Sequence, residues 1–310
     1  MKQQPFLLHL VAAAVTLAAS QASLAQSPAA SAGVPVSMVV TVEPHHGAEA
    51  TSIASENVAV YEGRSRAQVT EWVPLQGDRA GLELFILLDD AAHSSYGTQL
   101  EDLRHFILTQ PASTKIGVAY MQQGGPKVVQ NLTADHTVAA NALHVSLGNL
   151  ANSASPYLAL QQLIDQWPAT KDRREVLMIS NGSDADFGDF GADNPYVDAA
   201  IEKAQRANVI VFAISSTGDD IGSNQGTRGR NYLAQLAEET GGESYYYRSS
   251  APTSFAPYLE DSTRQLSRQY LVTFLARPEK RAGMQSVKVR SEAPHEQLVS
   301  AERVYVPAAE

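Results

Sequence analysis

The sequence predicts an α/β fold, a doubly wound and mostly parallel sheet flanked by N- and C-terminal β-strands, and three observations carry that prediction. First, "LELFILL" (residues 82–88) and "EVLMIS" (175–180) are nearly continuous apolar runs, as expected of strands buried on both faces. Second, segments with apolar residues at helical spacing alternate with such strands over residues 79–269, for example Leu100, Leu103, Phe106 and Ile107 in "GTQLEDLRHFILTQ". Third, the chain on either side of this block changes to β-branched and aromatic residues with a period near two.

The elements follow in order. Lys2, an apolar stretch from Phe6 to Ala19 and the small residues Ser23-Leu24-Ala25 have the order of an export signal, residues 1–25, cleaved after Ala25. A small, polar lead-in over residues 26–35 reads as flexible. Strands are expected near 37–42, 57–61 and 67–74, within an N-terminal β segment spanning 36–78. Inside the α/β block, "KIGVAYM" and "KVVQNL" read as a strand pair joined by the turn "QQGGP". Helices are expected at 134–150 and 156–167, and after "EVLMIS" come helical "YVDAAIEKAQRAN", the strand "VIVFAISS" and the helix "NYLAQLAEETGG", closed by glycine. "ESYYY" reads as an edge strand, with alternate tyrosines pointing opposite ways, and "FAPYLEDSTRQLSRQ" as a last helix. The C-terminal β segment, 270–308, reads as an antiparallel meander of "YLVTFLA", "SVKVRSE" and "LVSAERVYVP". The terminal strands are expected to pair into one small β-sandwich, the alternative being two separate β extensions docked on the core.

Composition narrows the function. A chain of 310 residues allows one large or two modest domains, and with no cysteine it builds neither a disulfide framework nor a thiol mechanism. Loss of residues 1–25 removes Lys2 and no acid, so the formal net charge moves from −10 to −11. That balance disfavours nucleic acid and anionic lipid surfaces as partners. No segment beyond the signal is long and apolar enough to be a membrane span. The eight histidines lack metal-ligand spacing, no Gly-x-Ser-x-Gly elbow occurs, and the glycine-rich 216–230 stretch fits neither a Walker nor a dinucleotide pattern. Asn131-Leu132-Thr133 is a glycosylation triplet of a kind frequent by chance.

In an open doubly wound sheet, ligands bind beyond the carboxyl ends of strands whose connections leave to opposite faces. The 82–88 run leads into Asp89 and Asp90 within "FILLDDAAHSSYG", and "EVLMIS" ends in Ser180-Asn181-Gly182. Adjacent strands would place both ends in one crevice. A plainer reading stands beside this one: such aspartates turn the chain by bonding local amides, and Ser94 and Ser95 cap the next helix. Asp184, Asp186, Asp189 and Asp193 lie in a glycine-containing loop that reads as solvated, without the spacing of a helix-loop-helix calcium site.

"FILLDDAAHSS", a Ser-bearing loop before a helix, and "VLMISNG" together resemble the von Willebrand factor type A domain and its metal-ion-dependent adhesion site. From about Pro35 onward the chain is most similar to secreted, acidobacterial-type von Willebrand A-related proteins, through its β-rich flanks and the "SPYLALQQLIDQWP" helix. The resemblance implies a Mg²⁺ site built from Asp90, Ser94, Ser155 and Asn181, with Asp89, His93, Ser153, Asp184 and Asp186 on a ligand-binding rim. Ala92 stands where the family has its first serine, Ser153 or Ser155 where it has threonine, and Asn181 where it has its final aspartate. One hydroxyl ligand and one negative charge are therefore missing, which implies a degenerate site with weak or absent binding of a divalent cation. The implied protein is an exported interaction or adhesion module, secreted, periplasmic or on the envelope, that binds a protein or cell-envelope ligand and performs no catalysis. The alternatives are a structural scaffold without a metal site and a metal-dependent enzyme.

Overall fold

The computed structural model describes residues 33–44, 52–90, 97–122, 125–145, 155–184, 194–216, 223–246, 254–293 and 296–308. The expected signal and the rest of residues 1–32 lie outside them, as do Tyr247 and residues 217–222 of the glycine-rich stretch.

The central sheet has the order β6-β5-β4-β7-β8-β9. Its strands are β4 (Leu82–Asp89), β5 (Thr114–Gln122), β6 (Gly125–Thr133), β7 (Arg173–Ser180), β8 (Val209–Ser215) and β9 (Ser244–Tyr245). All pairings are parallel except β5 with β6, the strand pair expected from the turn between them. Helices cover both faces. Because consecutive strand residues point to opposite sides, Leu84, Ile86 and Leu88 of β4 enter one apolar cluster with α1 (Gly97–Thr109), α2 (His136–Asn141) and α6 (Ala256–Ser267). Phe85 and Leu87 enter the other, with α3 (Pro156–Gln166), α4 (Pro195–Ala207) and α5 (Asn224–Thr240). Burial on both sides is the reason the 82–88 run has almost no polar interruption.

The helix ends follow the local chemistry of their sequences. Asp135, Ser155, Asn194 and Ser223 cap α2, α3, α4 and α5 by accepting backbone N–H bonds. Asn208 and Gly241 close α4 and α5 in the left-handed conformation. One expected helix is shorter than its periodicity suggests, since α2 ends at Asn141. The Tyr120 hydroxyl, 2.8 Å from both polar backbone atoms of His144, accepts its N–H and donates to its carbonyl. With the His144 ring stacked on Tyr120 as well, the chain leaves the helical path. Residues 146–150 of that expectation lie outside the described residues.

The flanking strands β1 (Val34–Pro44), β2 (Val58–Glu62), β3 (Ser65–Pro74), β10 (Gln269–Ala276), β11 (Gly283–Ser291), β12 (Glu296–Ser300) and β13 (Arg303–Val306) join in one antiparallel sheet. Its order is β12-β1-β10-β3-β2-β11-β13. The N- and C-terminal strands thus pair, as expected, but as a single continuous curled sheet rather than two stacked ones. Interleaving is the cause: β10 lies between β1 and β3, so neither end of the chain forms a layer of its own. The sheet encloses a third apolar cluster that includes Val40, Val60, Val272, Phe274 and Val306. Trp72 of β3 stacks on Tyr270 of β10 at 4.5 Å and donates its indole N–H to the Ile53 carbonyl.

Candidate functional site

Strands β4 and β7 are direct neighbours, with Leu88 opposite Ile179, so Asp89 and Asp90 end beside Ser180 and Asn181. The chain leaving β4 enters α1 on one face of the sheet, whereas the chain leaving β7 enters α4 on the other. This is the switch point at which open α/β sheets present a crevice.

The two aspartates act on opposite sides of that edge. Asp89, on the face covered by α3, α4 and α5, accepts the Ser180 hydroxyl at 3.1 Å. Ser180 Oγ in turn accepts the Gly182 N–H at 3.1 Å. Asp90 is only 2% exposed and accepts the Gln122 side-chain amide at 2.8 Å. Gln122 ends β5, on the other flank of β4. Nearby Tyr120 is pushed up to about 12, chiefly by burial and in part by the charge of Asp90.

Beyond β7 the backbone is fixed by close contact. Asn181 Oδ1 accepts the Ser183 N–H at 2.8 Å, closing an Asx turn. Gly182 follows with φ +74°, and its carbonyl accepts the buried Tyr157 hydroxyl at 2.9 Å. Burial raises Tyr157 well above the ordinary tyrosine value, so it stays a donor. Gly182 also meets Gly229 of α5 backbone to backbone: a Cβ on Gly229 would lie 2.3 Å from the Asn181 carbonyl oxygen.

Asp184, 8% exposed, gathers the remaining loops. Its Oδ2 accepts Ser155 Oγ at 2.9 Å and Asn194 Nδ2 at 2.8 Å. Ser155 accepts the Leu158 N–H at the start of α3, and Asn194 accepts the Tyr196 N–H at the start of α4. One carboxylate therefore ties two helix N-termini to the loop after β7. Sequence reasoning named Ser155 and Asp184 separately and missed Gln122, Tyr157 and Asn194. Asn194 carried the signal of a helix cap, lying just before Pro195. Ala92, His93, Ser94, Ser153, Asp186, Asp189 and Asp193 lie outside the described residues.

Asp90, Ser155, Asn181 and Asp184 offer oxygens of the type hard cations take. As folded, each accepts a hydrogen bond within the protein: Asp90 through Oδ2 from the Gln122 amide, Asn181 through Oδ1 from the Ser183 N–H, and Ser155 and Asp184 at the helix starts. Hydrogen bonds thus tie these four to neighbouring backbone and side chains among the described residues. Among the described residues, no group of three His, Cys, Asp or Glu side chains is placed to hold a metal ion.

No protein-family model matches the sequence, and no curated protein does. Among solved structures the chain is similar to an aerotolerance-related membrane protein from Bacteroides fragilis, at 16% identity and TM-score 0.43 over 60% of this chain and 98% of that one. It is similar to the ArnB paralog VWA2 from Sulfolobus acidocaldarius, at 8% identity and TM-score 0.40 over 87% and 76% of the two chains. A third is proximal thread matrix protein 1 from the mussel byssus, described with a zinc-occupied MIDAS motif, at 11% identity and TM-score 0.42 over 62% and 46%. The α/β fold with flanking strands rests on the strand order and helix placement described above.

Proposed function

We propose that the α/β block is a von Willebrand A-type interaction module of an exported protein, and that it engages a protein or cell-envelope ligand through the loops at the carboxyl edge of β4 and β7. The observation that carries this reading is the Asp184 junction, where two loops at a topological switch point, the one entering α3 and both ends of the β7–α4 connection, are locked by buried side-chain hydrogen bonds. Such locking pre-organises a recognition edge and lowers the ordering cost of binding. The hydroxyls of Ser155, Ser180 and Tyr157 are spent on Asp184, Asp89 and the Gly182 carbonyl. Their role is to hold the loops. In this reading Asp90, Ser155 and Asn181 contribute as hydrogen-bonding groups, and recognition needs no tightly held cation.

The test is capture of ligands from envelope and culture fractions on immobilised protein beginning at Gln26. It compares wild type with a variant in which residues 185–193 are replaced by a Gly/Ser linker and Asp184 by Asn. Loss of a captured protein or glycan in the variant supports the module, and undiminished capture removes the edge from consideration. Retention of binding in chelator supports cation-free recognition, whereas loss that Mg²⁺ restores returns the edge to metal-assisted adhesion. Secretion is checked by N-terminal sequencing of the exported chain, expected to begin at Gln26.

A further inference from the structure

Away from the candidate edge, the opposite end of β7 carries an unusual residue. Glu175 shares its strand face with Leu177 and Ile179, and its register neighbours are Leu84 of β4 and Ile210 of β8, all four in one apolar cluster. Its side chain is wholly buried. Gln269 lies beside it and interacts with the carboxyl, yet neither carboxyl oxygen nor either Gln269 amide atom makes a hydrogen bond of good geometry among the described residues.

The charged neighbour is Arg173, two residues earlier and on the same face. Its Nε lies 3.7 Å from Glu175 Oε1, within ion-pair range but beyond a hydrogen bond. The other guanidinium nitrogens are committed: Nη1 donates to the Leu75 carbonyl and Nη2 to the Leu266 carbonyl, each at 3.2 Å. Leu75 follows β3, and Leu266 lies in the last turn of α6 before β10. Arg173 therefore grips the chain where it leaves the curled sheet and where it returns. A cavity of ≈ 330 Å³, lined by Arg173, Leu75, Leu82, Thr114 and Leu266, adjoins it and gives the side chains room to shift.

We propose that Glu175 and Arg173 form a proton-linked clasp between the two sheets, tight while the Glu175 carboxyl holds its proton and looser once it ionises. Protonated, the carboxyl is neutral in its apolar setting and has an O–H to offer the Gln269 side chain. Ionised, it is a buried charge with no hydrogen bond of good geometry, which is costly even beside a guanidinium. Burial raises this carboxyl from an ordinary 4.5 to about 7, with Arg173 and Gln269 drawing it partly back. From β4, β8 and β10 the neighbours are Leu84, Ile210 and Gln269, none of which titrates. Elsewhere on the seam, Glu43 and Glu243 are also raised, first by burial and then by nearby carboxylates, Asp261 acting on both and Glu43 on Glu243; Arg268 draws Glu43 back. These groups act on one another and not on Glu175.

The sign is fixed by linkage. Stabilisation from a raised carboxyl is complete below its unfolded value and is lost as pH rises through the folded one. Unfolding of wild type and Glu175→Gln is therefore compared between about pH 5 and about pH 8. Glu43 and Glu243 contribute equally to both curves. The expected difference curve declines from about 4.5, the unfolded value, and levels off above about 7, the folded one, and parallel profiles overturn the clasp. A second readout is the amide exchange of Leu75, whose N–H is bonded to the Gln269 carbonyl. It should outpace its intrinsic pH dependence above about 7, where folded Glu175 ionises, in wild type alone, and equal behaviour in the two proteins overturns the clasp. If Glu175→Gln does not fold, carboxyl ¹³C resonances of wild type, with Glu175 assigned through its own backbone, decide the matter. A midpoint near 7 sustains the clasp and one near 4.5 ends it.

Discussion

Asp184 accepts from side chains on two different helix caps, so it sets the separation of those helices as well as their local ends. Both donors converge on one oxygen, Oδ2, so alanine removes the acceptor of Ser155 and of Asn194 together. Asp184→Ala is expected to lower stability by about 1–3 kcal/mol, the usual cost of leaving a buried polar group unpaired, measured by urea unfolding. Gln122→Ala removes one donor from buried Asp90 and is expected to cost a similar amount, about 1–3 kcal/mol, in the same measurement. The two sites are held by different strands, so the double variant should be close to additive. At this scale the sequence shows residue types and hides their partners. Ser155 and Asp184 stood out as a hydroxyl and a carboxylate near the expected edge. Gln122 is an ordinary amide until β5 is known to flank β4, and Ser155 meets Asp184 only because α3 starts beside the β7–α4 connection.

Among the elements, the loop after β7 and the second turn of α5 behave as one unit because Gly182 and Gly229 let their backbones touch. Gly229→Ala places a carbon 2.3 Å from a carbonyl oxygen, which neither partner can avoid by rotating a side chain. The loop must move, at an expected cost of roughly 2–4 kcal/mol, seen as a lowered Tm together with weaker ligand capture. Gly182→Ala adds backbone strain at a positive φ and should be at least as harmful. Most elements were legible from their residues, because strands buried on both faces and helices with one apolar stripe write their periods directly into the chain. Helix α2 was overestimated because its end is set by a tyrosine on a neighbouring strand, which no local pattern records. The order of the curled sheet was likewise hidden, since β1 and β3 find β10 across some two hundred residues and register is decided by packing.

For the molecule as a whole, stability is expected to depend on pH in an uncommon direction. Most folded proteins gain from depressed carboxyl values as pH rises, and here Asp261 and Glu71 are lowered in that way, whereas Glu175, Glu43 and Glu243 are raised and favour the acid side. For Glu175 the full span between the protonated and ionised limits is roughly 3 kcal/mol. A calorimetric series should place the Tm maximum below neutrality. These carboxyls gather where the two sheets meet, so the same series read by hydrogen exchange should show the seam opening before either core.

The chain leaves β3 and enters β10 with the Leu75 N–H on the Gln269 carbonyl, 2.9 Å apart. Such a doorway makes the parallel-sheet portion a cassette in the engineering sense. A foreign globule whose own ends lie close together would plug into the same gap without re-registering any strand of the curled sheet. Exchange of such an insert would thereby change the loops at the carboxyl edge while keeping the mounting that displays them.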